Sequence, residues 1–256
     1  MKRLLALVYG VACYAAFFAT FLYAIGFIGD FVVPKTIDSG VPGSAAQAVI
    51  VDLLLLGVFA IQHSVMARPG FKRAWTRVVP KPVERATYVL ASSAAMWLMF
   101  AFWQPIPVSV WQLHGFAAVA MEALFFLGVL TVLYATFLID HFDLFGLRQV
   151  VLYFRGMPYT EKRFSTPSLY RYMRHPLYVG WFMTFWFTPE MSAGHLLFAA
   201  VASAYILVAV VFEERDLLDL LGGDYRTWRE RTPKFIPRFG AETGTQVEVR
   251  PVREVH

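Results

Sequence analysis

The apolar residues of this chain are gathered into long runs: Leu4 to Ile28, Ala45 to Met66 (with Asp52, Gln62 and His63), Thr87 to Trp103, Phe116 to Ile139 (with Glu122) and Gly194 to Phe212. Each falls within the roughly 17–25 helical residues that cross a bilayer core. A sixth run, Leu177 to Phe187, is too short to cross alone. It begins after Arg174-His175-Pro176, and proline suits the first turn of a helix. With the last run it predicts a helical hairpin turning at Pro189 to Gly194. Met1-Lys2-Arg3 opens the first run as a secretory signal would, but the apolar stretch exceeds the roughly 7–15 residues of a signal core. It therefore reads as a retained span. The pattern predicts an all-α polytopic membrane protein with five or six membrane-embedded helices.

Composition agrees: 58% of the 256 residues are hydrophobic and 16% are charged, where soluble domains carry about 25% charged residues. The net charge of +5 needs no nucleic-acid partner, because its basic residues sit in alternate short loops. Arg68, Lys72, Arg73, Arg77, Lys81 and Arg85 join the second and third spans, and Arg148, Arg155, Lys162, Arg163, Arg171 and Arg174 follow the fourth. Residues 104–115 hold no Lys or Arg. By the positive-inside rule both termini lie in the cytoplasm. Residues 1–240 read as one membrane domain, and the polar tail 241–256, without apolar periodicity, as disordered. Cys13 is the only cysteine, which excludes a disulfide framework or a cysteine metal site within the chain.

This orientation collects polar residues at the cytoplasmic face: Gln62 and His63 end the second span, Asp140, His141 and Asp143 end the fourth, Arg174 and His175 open the hairpin, and Glu213 to Asp216 close it. Ionisable residues at such positions are functional candidates, although every helix end carries interfacial polar groups. Tyr172 and Trp181 read as interfacial anchors.

The hairpin carries an ordered pattern. Arg174-His175-Pro176-Leu177-Tyr178-Val179-Gly180 is followed about thirty residues later by Glu213-Glu214, then by Gly222-Gly223-Asp224-Tyr225. This resembles the membrane methyltransferase superfamily that includes the isoprenylcysteine carboxyl methyltransferases and phospholipid methyltransferases, over residues 165–237. The resemblance implies S-adenosyl-L-methionine as methyl donor at the cytoplasmic end of the hairpin. It implies donor contacts from Tyr170, His175, Pro176, Leu177, Tyr178 and Glu213. The arginine that serves a substrate carboxylate in the isoprenylcysteine enzymes corresponds to Ala209 here, so a carboxylate acceptor loses its clamp.

Further segments narrow the resemblance: Gln62-His63-Ser64, Asp140-His141-Phe142-Asp143-Leu144-Phe145-Gly146, Arg155-Gly156-Met157-Pro158-Tyr159 and Phe187-Thr188-Pro189-Glu190. Together they look like the bacterial methanethiol S-methyltransferases across nearly the whole chain. That resemblance implies a bacterial inner membrane protein that converts a small volatile thiol to dimethyl sulfide. A thiol must lose its proton to become the nucleophile, and a neutral imidazole accepts one near neutral pH. His63 and His141 are the candidate bases, with Asp143 or Asp140 as orienter. Two rivals stand beside this reading: a methyltransferase acting on a membrane lipid or other amphiphile, and a non-enzymatic haem- or metal-binding protein of nitrogen-oxide metabolism using His63, His141 and His175.

Overall fold

A computed structural model of the chain describes residues 1–160, 164–239 and 248–249. The elements run α1 Lys2–Gly29, α2 Ala45–Ala67, α3 Pro69–Trp75, α4 Lys81–Phe102, β1 Ser109–Gln112, α5 Phe116–Ile139, α6 His141–Leu144, α7 Leu147–Arg155, β2 Phe164–Ser165, a 3₁₀ turn Ser168–Arg171, α8 Pro176–Trp186, β3 Glu190–Ser192, α9 Ala193–Leu221, α10 Gly223–Arg231 and β4 Glu248–Val249. The fold is that of an all-α membrane protein. Helices α1, α2, α5 and α9 are long and apolar enough to cross a membrane. Helix α4 is of comparable length, with Glu84 in its first turn, and packs against α1 and α2. Helix α8, with 11 residues, rises only about 16 Å and reaches about halfway through a bilayer core of ~30 Å.

The hairpin forms as the proline and the short apolar run predict, with one difference. Helix α9 does not stop at Phe212 but continues to Leu221, so Glu213 and Glu214 ride on it rather than follow it. The polar stretch after the fourth span holds α6, α7 and the 3₁₀ turn. Lys162, Arg163 and most of the tail expected to be disordered lie outside the described residues; Glu248–Val249 pairs antiparallel with Phe164–Ser165.

Helix α8 is fastened to α5 by two facing glycines. A Cβ on Gly180 would stand 2.7 Å from the Val132 amide nitrogen and 2.8 Å from the Gly128 carbonyl, and one on Gly128 would stand 2.8 Å from the Gly180 carbonyl. Small residues let backbones approach this closely in membranes. At the end of the bundle where α8 finishes, β1 pairs antiparallel with β3, and the Ser192 hydroxyl donates to the Asp38 carboxylate. Phe27, Phe100, Trp103, Phe185 and Phe198 form the apolar core towards this end. At the opposite end, where α1 and α4 begin and α2, α5 and α9 finish, Gly146 closes the turn between α6 and α7. Its φ is 85°, and a Cβ there would meet the Ala86 backbone at 2.6 Å. That contact presses the turn onto the start of α4 and brings the Leu144 carbonyl to Arg85.

Candidate active site

Two constellations lie side by side at the end of the bundle where α8 begins. The first is the ionic knot of the hairpin. Glu214 is 6% exposed; its Oε1 accepts from Arg174 Nε at 2.9 Å and from His175 Nε2 at 3.0 Å. Arg174 also donates to the carbonyls of Arg229 and Thr232, the latter at 2.8 Å. The chain after α10 closes over these groups, with Arg174 and His175 amides donating to Pro233 and Lys234 carbonyls at 2.9 and 3.1 Å. A buried, fully paired carboxylate of this kind holds structure together.

Glu213 differs from its neighbour. Its side chain is 44% exposed, and its Oε2 accepts from the Tyr178 hydroxyl at 2.9 Å, with His175 Nδ1 at 3.9 Å. Tyr170 lies close enough that the Glu213 charge, after burial, raises its phenol above the ordinary tyrosine range. A solvent-accessible carboxylate flanked by two phenols, beside the first turn of α8, suits a ligand that is cationic and aromatic. Pro176 is buried in that first turn.

The second constellation is a cavity of about 420 Å³ lined by α1, α2, α4, α5, α6, α8 and α9, within the roughly 300–1,000 Å³ of small-molecule sites. Its walls are mostly apolar, from Phe17, Phe21, Met96, Trp181 and their neighbours. Leu177 and Tyr178 of the hairpin reach it, as do His63, His141, Arg85, Tyr88, Ser92 and Tyr205. Tyr170, His175, Pro176, Glu213 and Asp143 are not on its wall. Tyr178 therefore joins the two constellations: its ring faces the cavity and its hydroxyl holds Glu213.

Each histidine lies between a hydroxyl at Nδ1 and a tyrosine. Ser92 donates its only hydroxyl hydrogen to the Tyr88 carbonyl at 3.1 Å, so at 3.2 Å from His63 Nδ1 it accepts that nitrogen's proton. The neutral ring then offers Nε2 as acceptor; the Tyr88 hydroxyl lies against the ring, 2.9 Å from Nε2 and 3.0 Å from Nδ1. Thr136 likewise donates to the Leu133 carbonyl at 2.7 Å and takes Nδ1–H of His141 at 2.8 Å, leaving Nε2 to the Tyr14 hydroxyl at 2.8 Å. His141 stacks on Phe137 with centroids 4.3 Å apart, and burial lowers its proton affinity.

Asp143 does not orient either ring. Its carboxylate accepts from Arg148 at 2.9 Å and from Tyr159 at 3.2 Å, fastening α6 to α7 and the segment beyond. Asp140 accepts from the Asp143 amide at 3.1 Å as the cap of α6. Hydroxyls, not carboxylates, set both tautomers. The sequence reading also passed over Arg85, Tyr88 and Ser92, which stand at helical spacing on one face of α4. That polar stripe in an apolar span was the available sign. Among the described residues, no group of three His, Cys, Asp or Glu side chains is placed to hold a metal ion, and His175 bonds to Glu214.

The chain is similar to proteins named methanethiol S-methyltransferase. It is 55% identical over 238 residues to the one from Mycobacterium tuberculosis, covering 93% of this chain and 98% of the relative. It is 50% identical over 244 residues to that of Crocosphaera subtropica, covering 95% and 96%. It is 46% identical over 220 residues to that of Pseudomonas deceptionensis, covering 86% and 84%. No family model matches the chain, and no solved structure matches it.

Proposed function

The chain belongs to the methanethiol S-methyltransferases, and on that premise we propose that it methylates methanethiol to dimethyl sulfide with S-adenosyl-L-methionine as donor, at the cytoplasmic face of a bacterial inner membrane. The observation that carries this reading is the meeting of the hairpin with the apolar cavity at Tyr178. One side of that residue is a carboxylate site suited to a cationic donor, and the other is an apolar cavity suited to a small apolar acceptor.

The donor fits the residues present. Glu213 would hold the amino or ribose hydroxyl groups, Tyr170 and Tyr178 would flank the adenine or the cationic centre, and the first turn of α8, Pro176 to Tyr178, would meet the carboxylate. His175 would act indirectly, by fixing that turn through Glu214. When bound, S-adenosylmethionine supplies a methyl group on a positively charged sulfur, ready for in-line displacement.

The remaining work belongs to the chain. The cavity must accept a thiol, remove its proton and exclude water. A thiolate and a sulfonium neutralise one another as they react, so walls that strip water from both favour the less polar transition state. His63 and His141 are the bases within reach of the space. Holding the reacting atoms in line adds to the rate. The basic loops argue for the cytoplasmic face.

An acceptor panel tests the proposal. Purified protein in detergent with methyl-labelled S-adenosylmethionine is given methanethiol, hydrogen sulfide or phospholipid vesicles. The expected result is label transfer to methanethiol far above the lipid arm. Transfer to lipid with none to methanethiol would support the amphiphile rival instead.

A further inference from the structure

We propose that Tyr88 is a catalytic residue that takes the proton of the incoming thiol while passing its own to His63, with Ser92 positioning the imidazole and Arg85 facing the anion that forms. This rests on the thiol-methylation reading above and assigns its proton path.

The argument begins with hydrogen-bond direction. Ser92 can only accept from His63 Nδ1, because its own hydrogen is committed to the Tyr88 carbonyl. Nε2 is thus the basic atom, and the Tyr88 hydroxyl is within reach of it at 2.9 Å, with Nδ1 at 3.0 Å already carrying its proton towards Ser92. Tyr88 is 6% exposed and on the cavity wall. A phenol that donates to an imidazole keeps lone pairs with which to accept, so a thiol in the cavity meets the phenol oxygen first. The step balances. The thiol S–H bond breaks and its proton goes to the Tyr88 oxygen as the phenol proton goes to His63 Nε2. The electron pair left on sulfur forms the new S–CH₃ bond. The donor's C–S bond breaks, its pair cancelling the sulfonium charge. The net products are two neutral thioethers and one proton on His63, which then leaves to solvent.

Arg85 gives this path its electrostatic sense. Its guanidinium carbon lies 5.1 Å from the Tyr88 ring centroid, held by donation from Nε to the Leu144 carbonyl at 2.8 Å. A cation on this wall favours phenolate or thiolate and drives the proton off His63 after each turnover. The other phenol on the wall nearby, Tyr205, is engaged with Ser64 at 3.0 Å, and Tyr178 with Glu213.

The matching trio of Tyr14, His141 and Thr136 serves as an internal comparison. Its serine or threonine bonding is similar, but Tyr14 meets Nε2 alone and is not on the cavity wall, and aromatic rings rather than a cation surround the imidazole. A thiol in the cavity has no phenol oxygen there to meet.

The test compares methanethiol with methaneselenol, which is already ionised at neutral pH and needs no base. In single turnovers, Tyr88→Phe should slow methylation of the thiol by about 10²–10⁴-fold and leave the selenol rate near wild type. Tyr14→Phe should leave the selenol-to-thiol ratio at the wild-type value. A second readout needs no donor: ¹⁵N spectra of histidine-labelled protein should show His63 as the neutral Nδ1–H tautomer, and Ser92→Ala should move it towards a mixture. Equal slowing of both acceptors by Tyr88→Phe, a selective loss with Tyr14→Phe, or an Nε2–H tautomer at His63 would each overturn the assignment while leaving thiol methylation in place. Wild-type protein that methylates neither acceptor would overturn the reading on which it rests.

Discussion

Glu213 and Glu214 are adjacent in sequence and opposite in role, because neighbouring side chains on a helix point about 100° apart. Glu214 turns inward to Arg174 and His175, and Glu213 turns outward to Tyr178. Glu214→Ala would leave Arg174 buried and unpaired, at a cost of about 3–5 kcal/mol, read as a large fall in thermal stability in detergent. Glu213→Ala should leave stability near wild type and weaken donor binding by roughly 10–100-fold, the worth of a hydrogen bond to a charged group; calorimetric titration measures it. The Glu-Glu motif was legible in the sequence as a pair, whereas the division between its members was not. His141 was legible as a candidate base, whereas its burial was not. Its native pKa is depressed by burial below 6.5. As pH falls through that value, the unfolded chain binds a proton that the native chain refuses, so stability falls with it. His141→Gln should therefore lose less of its thermal stability than wild type between about pH 7 and pH 5; an unchanged pH slope would contradict this.

Among the elements, α8 is the one on which the site depends most. Being only half a span, it takes its place from the Gly128–Gly180 crossing with α5. Gly180→Ala would push a methyl group against the Val132 and Gly128 backbones, which cannot rotate away as a side chain can. The expected cost is about 1–3 kcal/mol of stability, with weaker donor binding because Tyr178 moves with the helix. A variant with full stability and donor affinity would show that the two helices are not so tightly fixed. The sequence foretold this hairpin, since run length and the proline state it directly. It did not foretell that α9 continues to Leu221. The apolar pattern ends at Phe212 as the helix leaves the hydrocarbon region, and the hydrogen-bonded helix continues past it. Helix α4 was legible as a span, but its face of Arg85, Tyr88 and Ser92 was not read as chemistry, because each residue alone suits an interfacial or helix-facing position.

For the whole molecule, apolar runs specify the order of the helices, because the bilayer imposes their length, and the basic loops predict their direction. They do not specify the cavity, which depends on how helices from distant parts of the chain meet. Topology can be checked with Lys81→Cys and Pro107→Cys, both at exposed positions, since the native Cys13 is buried. In intact cells an impermeant thiol reagent should label the second and not the first. The central claim is that one site joins a sulfonium donor to a small thiol. Its most direct test supplies purified protein with methanethiol and S-adenosylmethionine bearing a deuterated methyl group, and follows the headspace by mass spectrometry. The account predicts dimethyl sulfide carrying one deuterated methyl, formed in step with S-adenosylhomocysteine. Donor turnover without labelled dimethyl sulfide, or unlabelled product, would contradict it.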